Sequence, residues 1–191
     1  LGAVDYITKP FDMQELRLRV RNVLRRSSYA SLVSPVTGLP GREVAIDRLT
    51  DLLNEEGWAV LYLSITDMAP FNEAYGFVAG DDVLRAVGLI LTNVIDESGG
   101  LEDFVGHVGQ ADFLMVTQEA KAPSIANKLA TRLKRAFNYF YPVKDLESGK
   151  VTAPMKAKMG LVTTADGPYE KPEGIVTLAM KRFRVVASSH I

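Results

Sequence analysis

Nine residues, Trp58-Ala59-Val60-Leu61-Tyr62-Leu63-Ser64-Ile65-Thr66, restrict the fold of this chain more than any other stretch. Side chains alternate between faces along a strand, and here both sets are apolar as far as Leu63. The run is short for a buried helix and rich in strand formers, so it predicts a central strand covered on both sides. At its end Ser64 and Thr66 share one face and make that face polar.

A second pair of runs reads as a β-hairpin. Phe104-Val105-Gly106-His107-Val108 and Phe113-Leu114-Met115-Val116 flank the small polar turn Gly109-Gln110-Ala111-Asp112. The turn sets one carboxylate, Asp112, at the mouth of an apolar ribbon.

The remaining elements follow from periodicity. A helix after Arg42 uses Val44, Ile46, Leu49, Leu52 and Leu53 as apolar positions. Thr66 to Pro70 breaks the strand, and Phe71 to Gly76 gives a helical turn and a loop. Gly80-Asp81-Asp82 opens a long helix with Val83, Leu84, Val87, Ile90, Leu91, Val94 and Ile95 as its stripe. Asp81 and Asp82 then fall in the first turn, where a carboxylate favours the helix dipole. Asp96 to Gly100 reads as a loop. An amphipathic helix from Pro123 uses Ile125, Leu129, Leu133 and Phe137. Tyr139 to Lys150 reads as a loop with room for a short hairpin, Met155 to Thr163 as a strand, and Ala165 to Gly174 as a polar loop. Ile175 to Val186 reads as the closing helix. The fold class is α/β (α+β), in two layers, an antiparallel-rich sheet with helices on its faces.

Composition narrows the function classes. Of 191 residues, 47% are hydrophobic and 24% charged, the balance of an ordinary globular protein. The net charge of -1 gives no electrostatic case for nucleic acid or an anionic membrane. There is no cysteine, so disulfides and thiolate metal sites are excluded. No apolar run has the ~20 residues that span a bilayer. His107 and His190 are the two histidines, and their placement makes no metal-spacing pattern. A lone histidine on a strand, such as His107, reads first as structural.

The N-terminal segment GAVDYITKPFDMQELRLRVRNVLRR has a strand, Tyr6-Ile7-Thr8, closed by Lys9-Pro10, and a helix behind a capping box of Asp12 and Glu15. It resembles the last strand and last helix of a response-regulator receiver domain, of the flavodoxin-like kind. The resemblance makes Lys9 the residue that contacts the phosphoryl group and Tyr6 the aromatic switch. It also places the phosphoacceptor aspartate upstream of Leu1.

The larger part of the chain resembles the GGDEF domain of diguanylate cyclases, which join two GTP molecules into cyclic di-GMP. The segment Ser34-Pro35-Val36-Thr37-Gly38-Leu39-Pro40-Gly41-Arg42 is similar to that family's D-P-L-T-G-L-P-N-R, with Ser34 and Gly41 departing. The signature turn reads GQADF. The resemblance implies a nucleotidyl-cyclase-like palm and these boundaries: a receiver remnant over 1–26, a linker over 27–33 and a GGDEF domain over 34–191.

What the family needs at the site is only partly present. Its pattern D-I-D-x-F-K-x-x-N-D-x-Y-G-H-x-x-G-D, anchored on Asn72, Tyr75, Gly76, Gly80 and Asp81, puts Ser64 and Thr66 where two aspartates belong. Ser64 replaces the metal-binding one. Asp67 lies one residue further and is expected to point to the other face. Asp112 takes the place of the metal-binding, catalytic glutamate, one methylene shorter. Gln110 replaces the second signature glycine and Ala111 the acidic residue after it. Asn72 and Asp81 match the guanine-contacting positions. The phosphate-holding lysine of the last helix falls on Ala187, with Lys181, Arg182 and Arg184 out of register. The product-site R-x-x-D reads Gly100-Leu101-Glu102-Asp103, without its arginine. His107 stands where the family has arginine.

The resemblance therefore implies a cytoplasmic signalling module of a two-component response regulator, acting through protein contacts rather than as a cyclase. Its partners are the upstream receiver domain with its sensor kinase and an output protein; homodimerisation and GTP binding stay open. Two alternatives remain from the same residues: a non-catalytic guanine-nucleotide receptor reading GTP through Asn72 and Asp81, and an active cyclase. No cofactor is implied beyond Mg2+ accompanying a bound nucleotide, with Asp112 as its ligand.

Overall fold

The structure is a computed structural model that describes residues 32–100 and 102–189, together with Met13 and Leu16, both helical. Tyr6, Lys9, the strand over 6–8 and residues 27–31 of the linker lie outside the described residues.

The elements run α1 (Arg42–Leu52), β1 (Trp58–Thr66), α2 (Met68–Tyr75), α3 (Phe77–Ser98), β2 (Phe104–His107), β3 (Asp112–Gln118), α4 (Ala122–Phe137), α5 (Val143–Glu147), β4 (Lys156–Thr163), α6 (Pro172–Lys181) and β5 (Arg184–Ser188). The strands form one sheet in the order β2-β3-β1-β4-β5, every neighbouring pair antiparallel. The apolar run Trp58–Thr66 is its middle strand, as its two-faced pattern requires.

Both faces of β1 are covered, so the architecture has three layers rather than the two read from the sequence. Ala59, Leu61, Leu63 and Ile65 meet Val87 and Leu91 of α3 and Ile125, Leu129 and Leu133 of α4. Trp58, Val60 and Tyr62 meet Leu49 and Leu52 of α1 and Ile175 and Ala179 of α6. On this second side β4 and α6 approach so closely that a Cβ on Gly160 would collide with the Ala179 carbonyl. Trp58 closes the lower end, its indole Nε1 donating to the carbonyls of Leu52 at 2.8 Å and Glu55 at 3.1 Å.

Several boundaries differ from the sequence reading. The helix α3 starts at Phe77, so Asp81 and Asp82 lie beyond its first turn. They face Arg85 instead: Asp82 at 2.6 Å and Asp81 at 3.9 Å. The same helix runs through Ser98, absorbing most of the expected loop. In α1 the buried residues are Ala45, Leu49 and Leu52, and Ile46 is exposed. Between α4 and β4 the short helix α5 replaces the expected hairpin. It is held by Asp145, which accepts from Tyr75 Oη at 2.9 Å and pairs with Lys150 Nζ at 2.9 Å. The closing segment is a helix ending at Lys181 and then a strand, so Val185 and Val186 belong to the sheet edge β5.

The opposite edge, β2, is partly occupied. Residues 33–40 fold back alongside it, with a Val33–Pro40 bridge and the His107 N–H donating to the Pro40 carbonyl at 2.9 Å.

Candidate functional site

The polar end of the sheet is built by register. Ser64 on β1 lies directly opposite Asp112 on β3 and, on its other side, opposite Lys158 on β4. Thr66 lies opposite Lys156. Directly paired residues share a face, so Asp112, Ser64 and Lys158 form one row across three strands and Thr66 and Lys156 part of the next. This is the face covered by α1 and α6, since Tyr62 and Val162 share it.

The turn that carries Asp112 is pinned to the sheet. The Val108 N–H donates to the Asp112 carbonyl at 2.8 Å, and the Ile65 N–H to the Ala111 carbonyl at 2.9 Å. A Cβ on Gly109 would come within 2.8 Å of Asp112 Oδ2, which explains glycine there. Gln110 is exposed and Ala111 half-buried.

Asp67 departs from the expected alternation. Its backbone is left-handed, φ 64, which ends β1 and turns the chain into α2. Its carboxylate consequently returns toward Thr66, accepting from Thr66 Oγ1 at 3.0 Å, and lies 3.9 Å from Lys156 Nζ.

A cleft of about 340 Å³ opens between α1 and α6 above this face. Arg42, Leu49, Tyr62, Asp112, Leu114 and Val176 line it. Burial, then the neighbouring Asp112 carboxylate, pushes the Tyr62 hydroxyl up to about 12. Sequence reasoning missed Tyr62 and Arg42; the available signal was that Tyr62 precedes Ser64 on the same strand face. It also missed Lys156 and Lys158, whose place depends on the register of β1 against β4.

The guanine-reading candidates stand apart from that cleft. Asn72 on α2 packs onto α3 so tightly that a Cβ on Gly80 would collide with its amide oxygen. That oxygen is buried and has no hydrogen-bond partner. Asp81, on the next residue, is half-buried and faces Arg85. Neither residue lines the cleft with Asp112.

Two further positions are structural. Asp103 accepts from the Gly100 N–H at 3.0 Å and from Thr117 Oγ1 at 2.9 Å, closing the turn before β2. His107 is buried, stacked on Phe113 with ring centroids 4.5 Å apart, and in contact with Ser34 and Thr37. Burial holds its pKa below the usual imidazole value. Ala187 sits on β5 opposite Ala157, so the helical register that set it against the family's lysine does not exist. The last helical residue is Lys181.

Known proteins share this architecture. Vibrio cholerae LapD, an S helix-GGDEF-EAL protein bound to c-di-GMP, superposes with TM-score 0.63 at 16% identity, over 86% of this chain and 36% of that one. The GGDEF domain of Caulobacter crescentus DgcB in complex with c-di-GMP superposes with TM-score 0.57 at 18% identity, over 79% of this chain and 86% of that one. Among curated proteins, Bacillus subtilis signaling protein YkoW is 27% identical over 66% of this chain and 16% of its own length. Escherichia coli cyclic di-GMP phosphodiesterase PdeR is 27% identical over 61% of this chain and 18% of its own. The chain thus spans less than a fifth of these two relatives. Pseudomonas aeruginosa response regulator PmrA is 42% identical over 31% of this chain and 25% of its own length. Residues 31–186 match the family described as diguanylate cyclase, GGDEF domain, and the chain belongs to that family.

Proposed function

We propose that this chain is the output module of a two-component response regulator, working in cyclic di-GMP signalling in the cytoplasm without itself making cyclic di-GMP. Residues 1–26 end a receiver domain in which Tyr6 and Lys9 report the phosphorylation state set by a sensor kinase. The GGDEF domain over 34–191 passes that state to a protein partner by contact. The partial similarity to PmrA supports the receiver, and the similarity to PdeR and YkoW supports the signalling context.

One observation supports the loss of catalysis: the residue of β1 directly opposite Asp112 is a serine. The family's reaction, as the resemblance carries it, needs a divalent cation held by carboxylates. The residues present do not fit one. Magnesium takes several oxygen ligands, with acidic groups to balance its charge. Here the row holds one carboxylate, one neutral hydroxyl and an ammonium. Among the described residues no three His, Asp or Glu side chains gather as a metal cluster.

A guanine receptor would present the Asn72 carboxamide to the base. Its oxygen is instead buried against Gly80 of α3, away from the cleft that Asp112 lines. Protein contact is therefore the preferred output.

The test is direct. Full-length protein incubated with GTP and Mg2+ yields no cyclic di-GMP by chromatography, and GTP leaves its melting temperature unchanged. Accumulation of cyclic di-GMP above a no-protein control overturns the reading.

A further inference from the structure

The two lysines of β4 stand opposite the two positions of β1 where the family's pattern has aspartates. Lys158 pairs with Ser64 and Lys156 with Thr66. Cross-strand partners in a sheet have Cβ atoms about 5 Å apart, close enough to interact directly. Where the pattern has two acidic residues this chain has hydroxyls, and each is paired in register with a lysine on the neighbouring strand.

One contact on this face shows what the first of these lysines does. Lys156 Nζ lies 3.9 Å from Asp67 Oδ2, the oxygen that also accepts from Thr66 Oγ1. A lysine from β4 therefore already faces a carboxylate at the end of β1. One row along, Lys158 is half-buried and lies two strands from Asp112, with Ser64 between them. Two strand spacings are about 10 Å, within the combined reach of a lysine and an aspartate side chain.

We infer that Lys158 is the built-in counter-ion of this site: it supplies, from the chain itself, the positive charge that a divalent cation supplies beside the family's carboxylates, and so excludes the metal. This deepens the reading proposed above, on which it rests. The loss of metal binding is then a positive feature of β4 and more than the absence of an aspartate on β1. Restoring the aspartate alone creates an ion pair with Lys158 and no metal site. A dication held about 6 Å from an ammonium is disfavoured by about tenfold even at the screening of bulk water.

The experiment is Mn2+ binding followed by electron paramagnetic resonance, on the full chain and on Ser64→Asp, Lys158→Ser and the double variant. Circular dichroism melts establish that each is folded, and Ser64→Asp/Lys158→Thr serves if the serine double variant is not. Wild type and Ser64→Asp show little binding, and the double variant binds Mn2+ at least about tenfold more tightly than Ser64→Asp. Equal binding by Ser64→Asp and the double variant overturns the inference, as does binding by wild type as tight as the double variant's. This readout is independent of cyclic di-GMP synthesis, so failure here is distinguishable from failure of the proposed function.

Discussion

Ser34 Oγ lies 2.7 Å from His107 Nδ1, joining two positions 73 residues apart. Both depart from the family's pattern, which has aspartate at one and arginine at the other, and they depart in contact with each other. Where that pattern has two residue types of opposite charge, this chain has a hydroxyl and an imidazole in hydrogen-bond contact. The Ser34 oxygen already accepts the N–H groups of Val36 and Thr37, each at 3.3 Å, so its own proton is free for Nδ1. The imidazole is then an acceptor at Nδ1 and carries its proton on Nε2, a tautomer inferred from this network. Nε2 is buried without a hydrogen-bond partner.

Acidification should weaken the fold through this residue. Burial lowers the pKa of His107 in the folded state, with the Gln110 backbone and Asp112 opposing it more weakly. The unfolded chain, with an ordinary pKa of about 6.5, takes up the proton first. More protons are bound by the unfolded state in that window, so stability rises with pH through it and is lost as pH falls below about 6.5. Melting temperature followed from pH 7.5 to 5 should fall less for His107→Gln than for wild type. Parallel slopes would remove His107 as the cause.

Gly80→Ala should destabilise the chain, because the new methyl collides with the Asn72 amide oxygen. Overpacking of this kind costs about 1–3 kcal/mol. Asn72→Ala removes the obstacle, so the double variant should be more stable than Gly80→Ala alone. A denaturant-unfolding cycle reads the coupling, and strict additivity would contradict the contact.

Trp58→Phe keeps a smaller aromatic ring and removes the donor. It leaves the buried Leu52 carbonyl and the Glu55 carbonyl without the indole N–H. An orphaned buried acceptor costs about 1–3 kcal/mol, seen as a lower denaturation midpoint. The midpoint of Trp58→Leu should fall further, since the tilted aromatic contact with Tyr169, ring centroids 5.6 Å apart, is lost as well.

The α5 segment should be the acid-labile part of the domain. Hydrogen bonds from Lys150 and Tyr75 hold the Asp145 carboxyl below the usual carboxylate range. Its contribution is present above about pH 4 and is lost as pH falls through the lowered value. Asp145→Asn should be less stable near neutrality and flatter in the acid limb. Amide exchange across 142–150 should accelerate in the variant before exchange in β1 does.

What the sequence made legible follows from burial. β1 could be read because both of its faces are apolar, and α4 because Ile125, Leu129, Leu133 and Phe137 repeat at helical spacing and are all buried. The start of α3 could not. Its N-cap is Gly76 at φ 88 with no capping side chain, and Phe77 and Val78 are exposed, so Asp81 and Asp82 offered a false first turn. The β5 strand was hidden because α6 hands over to it within three residues, Lys181 to Arg184, leaving Val185-Val186 as the sole strand signal. Of the candidate site, Ser64 and Asp112 were legible from a motif. Lys156 and Lys158 were not, because no local pattern encodes which residues face one another across β1 and β4.

The fold-back of residues 33–40 along β2 has a consequence for assembly. A sheet grows by adding strands to open edges, and a growing filament needs two of them. One edge here is blunted by the Pro40 carbonyl contact with His107 and the Val33–Pro40 bridge. The other, β5, carries the exposed Val185. A second copy that paired edge to edge through β5 would present its blunted side outward. Stacking through the sheet then terminates at a pair, so unlimited polymerisation would first require residues 33–40 to be peeled away.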